Sequence, residues 1–135
     1  MNSNAVILKA KRTPIGSFQG NLSSFSASEL ASFVIQDFLK DSRLDRTLIN
    51  EIIIGNVLSA GQGQAPARQA ALKGGCKNSI EALTINKMCG SGLKAIMLAD
   101  QAIRCGDANI ILAGGMESMS TVSYTHLRAH ETLSY

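Results

Sequence analysis

Apolar residues occur along this chain in two patterns, short continuous runs and longer stretches with helical spacing. The run at 52–58 is mostly β-branched and does not alternate with polar residues. A run of this kind is typical of a strand buried on both faces of a parallel sheet. The short apolar runs together predict strands at residues 5–8, 52–58, 82–88 and 109–113.

Three stretches carry signals for helices. The first starts with Ser26 and Glu29, which have the spacing of a capping box, and its helical spacing continues to about residue 39. The second starts at Pro66, a residue favoured at the first helical position, and ends before a pair of glycines. The third covers residues 90–105 and is also followed by a glycine. Its apolar face is predicted to consist of Leu93, Ile96, Met97 and Ile103.

The order of these elements predicts an α/β fold with helices packed on a mixed, largely parallel sheet. Residues 82–113 read as strand, helix, strand, so the two strands should be parallel with a right-handed crossover. The stretch 121–135 has no clear period and contains both histidines and both tyrosines of the chain. We therefore expect a domain over residues 1–120 and an atypical tail at 121–135, either disordered or foreign to the domain.

Composition and charge narrow the function classes. The 135 residues are 45% hydrophobic and 17% charged, which fits one globular domain or a piece of a larger one. The net charge of +3 is scattered, so a nucleic-acid partner is not expected. No apolar run approaches the ~18 residues of a membrane span. The apolar stretch near the N-terminus is also shorter than the roughly 7 residues of a signal-peptide core. We expect a cytoplasmic protein without a membrane partner.

Cys89 is the strongest candidate for chemistry, because it lies between the end of a predicted strand and the start of a predicted helix. Unpaired N–H groups and the helix dipole at such a position favour a thiolate, the nucleophilic form of cysteine. The backbone N–H of Cys89 could also face an oxyanion, and Lys87 and Lys94 could add positive potential. From the residues alone, a purely structural cysteine stays the more common alternative.

Weaker signals come from other titratable residues. Cys76 and Cys105 are expected to be structural, and the spacings of 13 and 16 residues among the three cysteines match no metal-ligand pattern, so no metal site is expected. Glu117 follows a predicted strand and could be an acid or base, but a hydrogen bond to the turn backbone is the favoured interpretation. His126 and His130 could serve as bases, a role that a terminal tail disfavours.

Three segments resemble the thiolases. Residues 86–120, NKMCGSGLKAIMLADQAIRCGDANIILAGGMESMS, resemble the nucleophile segment of that family. Residues 5–16 are similar to its first strand and loop, and residues 55–71 to its second strand, loop and helix. The similarity is collinear over residues 1–120 and favours the acetyl-CoA acetyltransferase branch. It implies a thiolase-like fold, of which this chain would be an incomplete N-terminal half.

The resemblance also implies a reaction. Cys89 would be the nucleophile that accepts an acyl group from an acyl-CoA, forming an acyl-thioester intermediate, with its own N–H in the oxyanion hole. A second acetyl-CoA would then attack in a Claisen condensation to give acetoacetyl-CoA, and the reverse reaction is thiolysis of a 3-ketoacyl-CoA. Coenzyme A thioesters would be the substrates in fatty acid metabolism, with no resident cofactor. The full-length protein would be a homodimer or homotetramer.

Parts of the family pattern are missing from these residues. The Gly-His-Pro, Asn-Glu-Ala-Phe and Cys-x-Gly-Gly-Gly motifs do not occur in the 135 residues, nor does the inserted loop domain that holds coenzyme A. We therefore expect the chain by itself to be inactive in condensation. Two alternatives stay open: a β-ketoacyl synthase-like condensing enzyme, which residues 115–118 disfavour, and a truncated domain that only folds or associates with partners.

Overall fold

The computed structural model describes residues 4–41 and 43–121. Helices and strands alternate along these residues, and the strands form a small sheet, which confirms the α/β class. The strands are β1 (Glu51–Gly55), β2 (Glu81–Ile85) and β3 (Ile111–Gly115), and the α-helices are α1 (Ala27–Asp41), α2 (Pro66–Lys73) and α3 (Ser91–Cys105), with a short 3₁₀ helix at Arg46–Leu48. No helix in this part of the chain is long and apolar enough to cross a membrane.

The three described strands form one sheet in the order β2-β1-β3. Both β2 and β3 run parallel to β1, and Ile53 of β1 lies opposite Leu83 on one side and Ala113 on the other. The prediction that the strands flanking α3 are parallel is therefore confirmed. They are not neighbours, however, because β1 lies between them and α3 has to cross over it.

Strand β1 is the centre of the core. Ile52 and Ile54 are buried in the cluster beneath α1 and α2, whereas Ile53 is buried on the opposite face with Ala95 and Ala99 of α3. Burial on both faces confirms the interpretation of the continuous apolar run. The strand ends at Gly55 rather than at residue 58. The N–H of Asn56 still donates to Ile85 of β2, but the chain then turns, and the N–H groups of Val57 and Leu58 bind the side chain of Glu117 instead of a neighbouring strand.

Helix α1 begins with the predicted capping box. The backbone N–H of Ser26 donates to Oε2 of Glu29 at 2.8 Å, and the N–H of Glu29 donates to Oγ of Ser26 at 3.2 Å. The two bonds satisfy donors that the first helical turn leaves unpaired. Further along, the hydroxyl of the buried Ser28 donates to the carbonyl oxygen of Pro66, which joins α1 to the start of α2.

The predicted strand at residues 5–8 is wrong. Val6, Ile7 and Leu8 are 73%, 79% and 71% exposed, and the segment pairs with none of the three described strands. It lies instead near α1, where the ammonium group of Lys9 sits 5.5 Å from the ring centre of Phe38. An apolar run forms a strand only where a neighbouring strand accepts its backbone hydrogen bonds, and no described strand does so here.

The predicted apolar face of α3 is also wrong. Leu93, Ile96 and Met97 are 66%, 42% and 49% exposed, whereas the helix packs on the sheet through the buried Ala95 and Ala99. The helix backbone lies so near the strands that small side chains fill the interface. The close approach therefore favours the alanine face, with Leu98 partly buried beside it, and Leu93, Ile96 and Met97 point away from the described core.

Candidate active site

A tight turn joins the end of β2 to the start of α3 and carries Cys89. The N–H of Gly90 donates to the carbonyl of Lys87 at 3.1 Å, and the N–H of Ser91 donates to the carbonyl of Met88 at 3.0 Å. Met88 has φ of 49°, in the left-handed region that non-glycine residues rarely occupy. The hydroxyl of Ser91 spans the turn, accepting from the N–H of Lys87 and donating to the carbonyl of Met88.

Cys89 lies at the N-terminal end of α3, as the sequence predicts. The residue is exposed, and no oxygen among the described residues accepts a hydrogen bond from its backbone N–H. Gly90 caps the helix without a side-chain hydrogen bond, so the first-turn N–H groups are not occupied by a capping side chain. The turn therefore combines an accessible sulfur with backbone donors that can bind an anion.

Three glycines bring this turn onto the carboxyl edge of the sheet. A Cβ on Gly55 would lie 2.5 Å from the carbonyl carbon of Ser91, and a Cβ on Gly115 would lie 3.1 Å from Cα of Gly92. Only glycine lets the helix start this close to β1 and β3. In open α/β sheets, functional sites lie beyond the carboxyl ends of the strands, and Cys89 has this position.

Glu117 is a structural partner of the neighbouring turn. Its Oε1 accepts from Nδ2 of Asn56 at 3.0 Å and from the N–H of Leu58 at 3.2 Å, and its Oε2 accepts from the N–H of Val57 at 3.0 Å. Both carboxylate oxygens are therefore occupied by donors of the turn after β1. The predicted hydrogen bonding of Glu117 to the turn backbone is confirmed.

The other two cysteines lie away from this turn. Cys76 is buried, and burial raises the pKa of its thiol, with Arg46 partly opposing the shift. Cys105 is exposed in the last turn of α3, where the helix dipole opposes negative charge. The described residues contain no group of three or more side chains that could hold a metal ion. His126, His130 and the predicted tail from residue 122 onward lie outside the described residues.

Two asparagines of this region carry no sequence signal strong enough to single them out. Oδ1 of Asn86 accepts from the N–H of Met88 at 2.9 Å, and its Nδ2 donates to the carbonyl of Val57 at 3.4 Å. Asn56 is 2% exposed and bonds to Glu117. The tendency of asparagine to bind the backbone two residues ahead could have indicated the first contact of Asn86. The contacts across the sheet edge could not be read from the sequence.

An open cavity of about 320 Å³ lies between the loops at 13–18 and 117–120, and Glu117 is one of the residues that line it. Its walls include Ile15, Phe18 and Leu30, and Cys89 does not line it. The cavity and the candidate nucleophile are therefore separate.

Comparisons with known proteins show which family the sequence of this chain matches. The family model described as thiolase, N-terminal domain, matches residues 5–135. An acetyl-CoA acetyltransferase of Allochromatium vinosum is 53% identical over 131 residues, which cover 97% of this chain and 33% of that protein. One from Pseudomonas aeruginosa is 53% identical over 121 residues, covering 90% of this chain and 31% of that protein.

A solved structure has the same fold. The crystal structure of Acat5 thiolase from Ascaris suum in complex with coenzyme A matches with a TM-score of 0.78 and 46% sequence identity. The match covers 82% of this chain and 29% of the Ascaris chain. The present chain thus spans about a third of the length of the curated relatives it matches.

Proposed function

This chain belongs to the thiolase family, and on that premise we propose that the full-length protein is an acyltransferase with Cys89 as its nucleophile. The observation that carries the proposal is the geometry of the Cys89 turn. An exposed thiol lies at the N-terminus of α3, beside a backbone N–H without an acceptor among the described residues. Nucleophilic acyl transfer requires these two features together.

The first step is transfer of the acyl group to Cys89. The Cys89 thiolate attacks the carbonyl carbon of an acyl-CoA, the new carbon–sulfur bond forms, and the bond to the coenzyme A sulfur breaks. Coenzyme A leaves as the thiolate and takes up a proton. The N–H of Cys89 and the positive end of α3 stabilise the negative charge that develops on the carbonyl oxygen during the attack.

The second step is carbon–carbon bond formation. The α-carbon of a second acetyl-CoA loses a proton to a base and attacks the acyl carbonyl, which gives acetoacetyl-CoA and regenerates the Cys89 thiolate. In the reverse direction a 3-ketoacyl-CoA is cleaved by free coenzyme A. The base belongs to motifs that do not occur in these 135 residues. The coenzyme A bound to the Ascaris thiolase supports coenzyme A thioesters as the substrate class.

The two alternative functions are less well supported. The relatives reported above are named acetyl-CoA acetyltransferase or thiolase, which favours thiolase chemistry over that of a β-ketoacyl synthase. An associating domain stays the alternative for residues 1–135 alone, whereas the thiolase relatives favour an acyltransferase for the full-length protein. A homo-oligomeric assembly and a cytoplasmic location stay predictions.

The proposal is tested by trapping the acyl-enzyme in the full-length protein. After incubation with radiolabelled acetyl-CoA and acid quenching, we expect one acetyl group on the tryptic peptide 88–94, which contains Cys89 and no other cysteine. Cys89→Ala should remove the label and lower turnover by about three orders of magnitude, as expected for loss of a covalent nucleophile. Cys105→Ala is the matched control and should keep both. Undiminished turnover by Cys89→Ala would disprove the assignment.

A further inference from the structure

A series of hydrogen bonds connects the carboxyl ends of the three strands and ends at Met88, the residue before Cys89. It starts after β3 at Glu117, whose Oε2 accepts from the N–H of Val57 at 3.0 Å. The carbonyl of the same residue, Val57, accepts from Nδ2 of Asn86 at 3.4 Å. Oδ1 of Asn86 then accepts from the N–H of Met88 at 2.9 Å. The first link joins the ends of β3 and β1, the second joins the ends of β1 and β2, and the third lies within the turn after β2.

The end of this series is the strained position of the turn. Met88 has φ of 49° and is 66% exposed, so its conformation is not held by burial of its side chain. A left-handed non-glycine residue persists only where its surroundings determine the backbone. The hydrogen bonds of Met88 itself go to Asn86 on one side and to Ser91 on the other, and the bond from the N–H of Gly90 to the carbonyl of Lys87 closes the turn around it.

The beginning of the series is better anchored. Glu117 accepts three hydrogen bonds from the turn after β1, including one from the side chain of the buried Asn56. Bonds between a carboxylate and N–H groups are about twice as strong as neutral ones. One of these donors, the N–H of Leu58, is in the same peptide unit as the carbonyl of Val57, so Glu117 holds the group that orients Asn86. A general-base role is disfavoured, since the described donors already occupy both carboxylate oxygens.

We propose that Glu117 is a positioning residue for Cys89, acting through the backbone of Val57 and the side chain of Asn86 on the strained turn at Met88. The proposal rests on the proposed function in that Cys89 is the residue to be positioned. It assigns to Glu117 no contact with substrate. The expected consequence is that loosening Glu117 alters the Cys89 turn, although residue 117 lies on another strand end.

A double-mutant cycle in the full-length protein tests this connection. Glu117→Gln removes the charge that holds the turn. Asn86→Asp keeps the acceptor for the N–H of Met88 but lacks the donor to Val57, so it disconnects the two ends. The readouts are hydrogen exchange of the Met88 amide and the rate of alkylation of Cys89 by iodoacetamide. Tryptic peptides separate Cys89 from Cys105, which serves as the internal reference.

We expect Glu117→Gln to change both rates by about threefold or more, the size of a typical coupling between contacting groups. In the Asn86→Asp background the same substitution should have little further effect. Glu81→Gln makes the same chemical change at the first residue of β2, at the amino ends of the strands. It should leave both rates within about 1.5-fold of the wild-type values, as for independent sites. If Glu117→Gln unfolds the protein, Glu117→Asp takes its place.

Two results would overturn the proposal. One is an equal effect of Glu117→Gln with Asn86 and with Asp at position 86, because the influence would then not pass through the asparagine. The other is an unchanged Met88 amide together with unchanged alkylation of Cys89. Neither readout requires turnover. A failed connection is therefore distinguishable from a failed acyl-transfer assignment, which the acetyl label on Cys89 tests separately.

Discussion

At the scale of single residues, Glu29 illustrates how a local contact carries a pH dependence. The backbone N–H of Ser26 and then its hydroxyl hold the pKa of Glu29 below its usual range, with a smaller contribution from Lys73. A lowered pKa in the folded state means that the ionised carboxylate stabilises the fold. This contribution is complete above the usual pKa of glutamate and is lost as the pH falls through the lowered value.

Glu29→Gln is therefore expected to lower the free energy of unfolding at pH 7 by a few tenths of a kcal/mol, because the side chain is partly exposed. The difference from wild type should vanish at a pH below the lowered pKa. Ser26→Ala removes the hydroxyl but keeps the backbone N–H that donates to Glu29. It should cost about 1 kcal/mol at pH 7, because the N–H of Glu29 loses its acceptor. Urea unfolding at both pH values measures these differences. A penalty for Glu29→Gln that grew on acidification would contradict the sign.

Residue-scale prediction succeeded where the partner is near in sequence. The capping partners Ser26 and Glu29 are three positions apart, and Cys89 could be placed from the residues on either side of it. Asn86 and Glu117 bind residues 29 and 60 positions away. The role of Glu117 as a hydrogen-bond acceptor could be anticipated from its place after a strand, but its partners could not.

At the scale of elements, the contact between the first turn of α3 and the carboxyl ends of β1 and β3 determines where Cys89 lies. The short distance between the helix and these strands depends on Gly55 of β1, Gly92 of α3 and Gly115 of β3. The same close approach explains why the face of α3 that carries Ala95 and Ala99 is buried, while Leu93, Ile96 and Met97 are exposed. The helix bounds could be predicted from Pro66 and from the glycine after Cys105, but the buried face of α3 could not.

Gly55→Ala is expected to destabilise the chain, because its Cβ would overlap the backbone of Ser91 at 2.5 Å. Overpacking against a backbone that cannot rotate away costs about 1–3 kcal/mol. Gly114→Ala is the matched control, since a Cβ there meets no atom within 4 Å. It should stay within about 0.5 kcal/mol of wild type. Thermal and denaturant unfolding of both variants check this, and equal destabilisation would refute the packing explanation.

At the scale of the whole molecule, the chain carries one part of a site. It spans about a third of its relatives and holds the candidate nucleophile with its backbone donor. The Gly-His-Pro and Cys-x-Gly-Gly-Gly motifs of the family are not among its 135 residues. The exposed Leu93, Ile96 and Met97 likewise have no partner in the described residues that covers them.

Residues 1–135 by themselves are therefore expected to form no acetoacetyl-CoA from acetyl-CoA, because carbon–carbon bond formation needs a base for the α-proton. The enolate absorbance of acetoacetyl-CoA and the release of free coenzyme A measure the two steps separately. The full-length protein under the same conditions is the positive control. Steady formation of acetoacetyl-CoA by residues 1–135 would contradict the expectation.

The sequence by itself determined the α/β class, the family, the starts and ends of the helices and the location of Cys89 at a helix N-terminus. These features depend on neighbours within a turn or two, or on motifs that are continuous in the chain. Only the tertiary structure decided the strand order, the buried face of α3, the fate of the run at 5–8 and the contacts of Asn86 and Glu117. Each of these depends on which distant segments meet, and backbone packing at the sheet edge determines that.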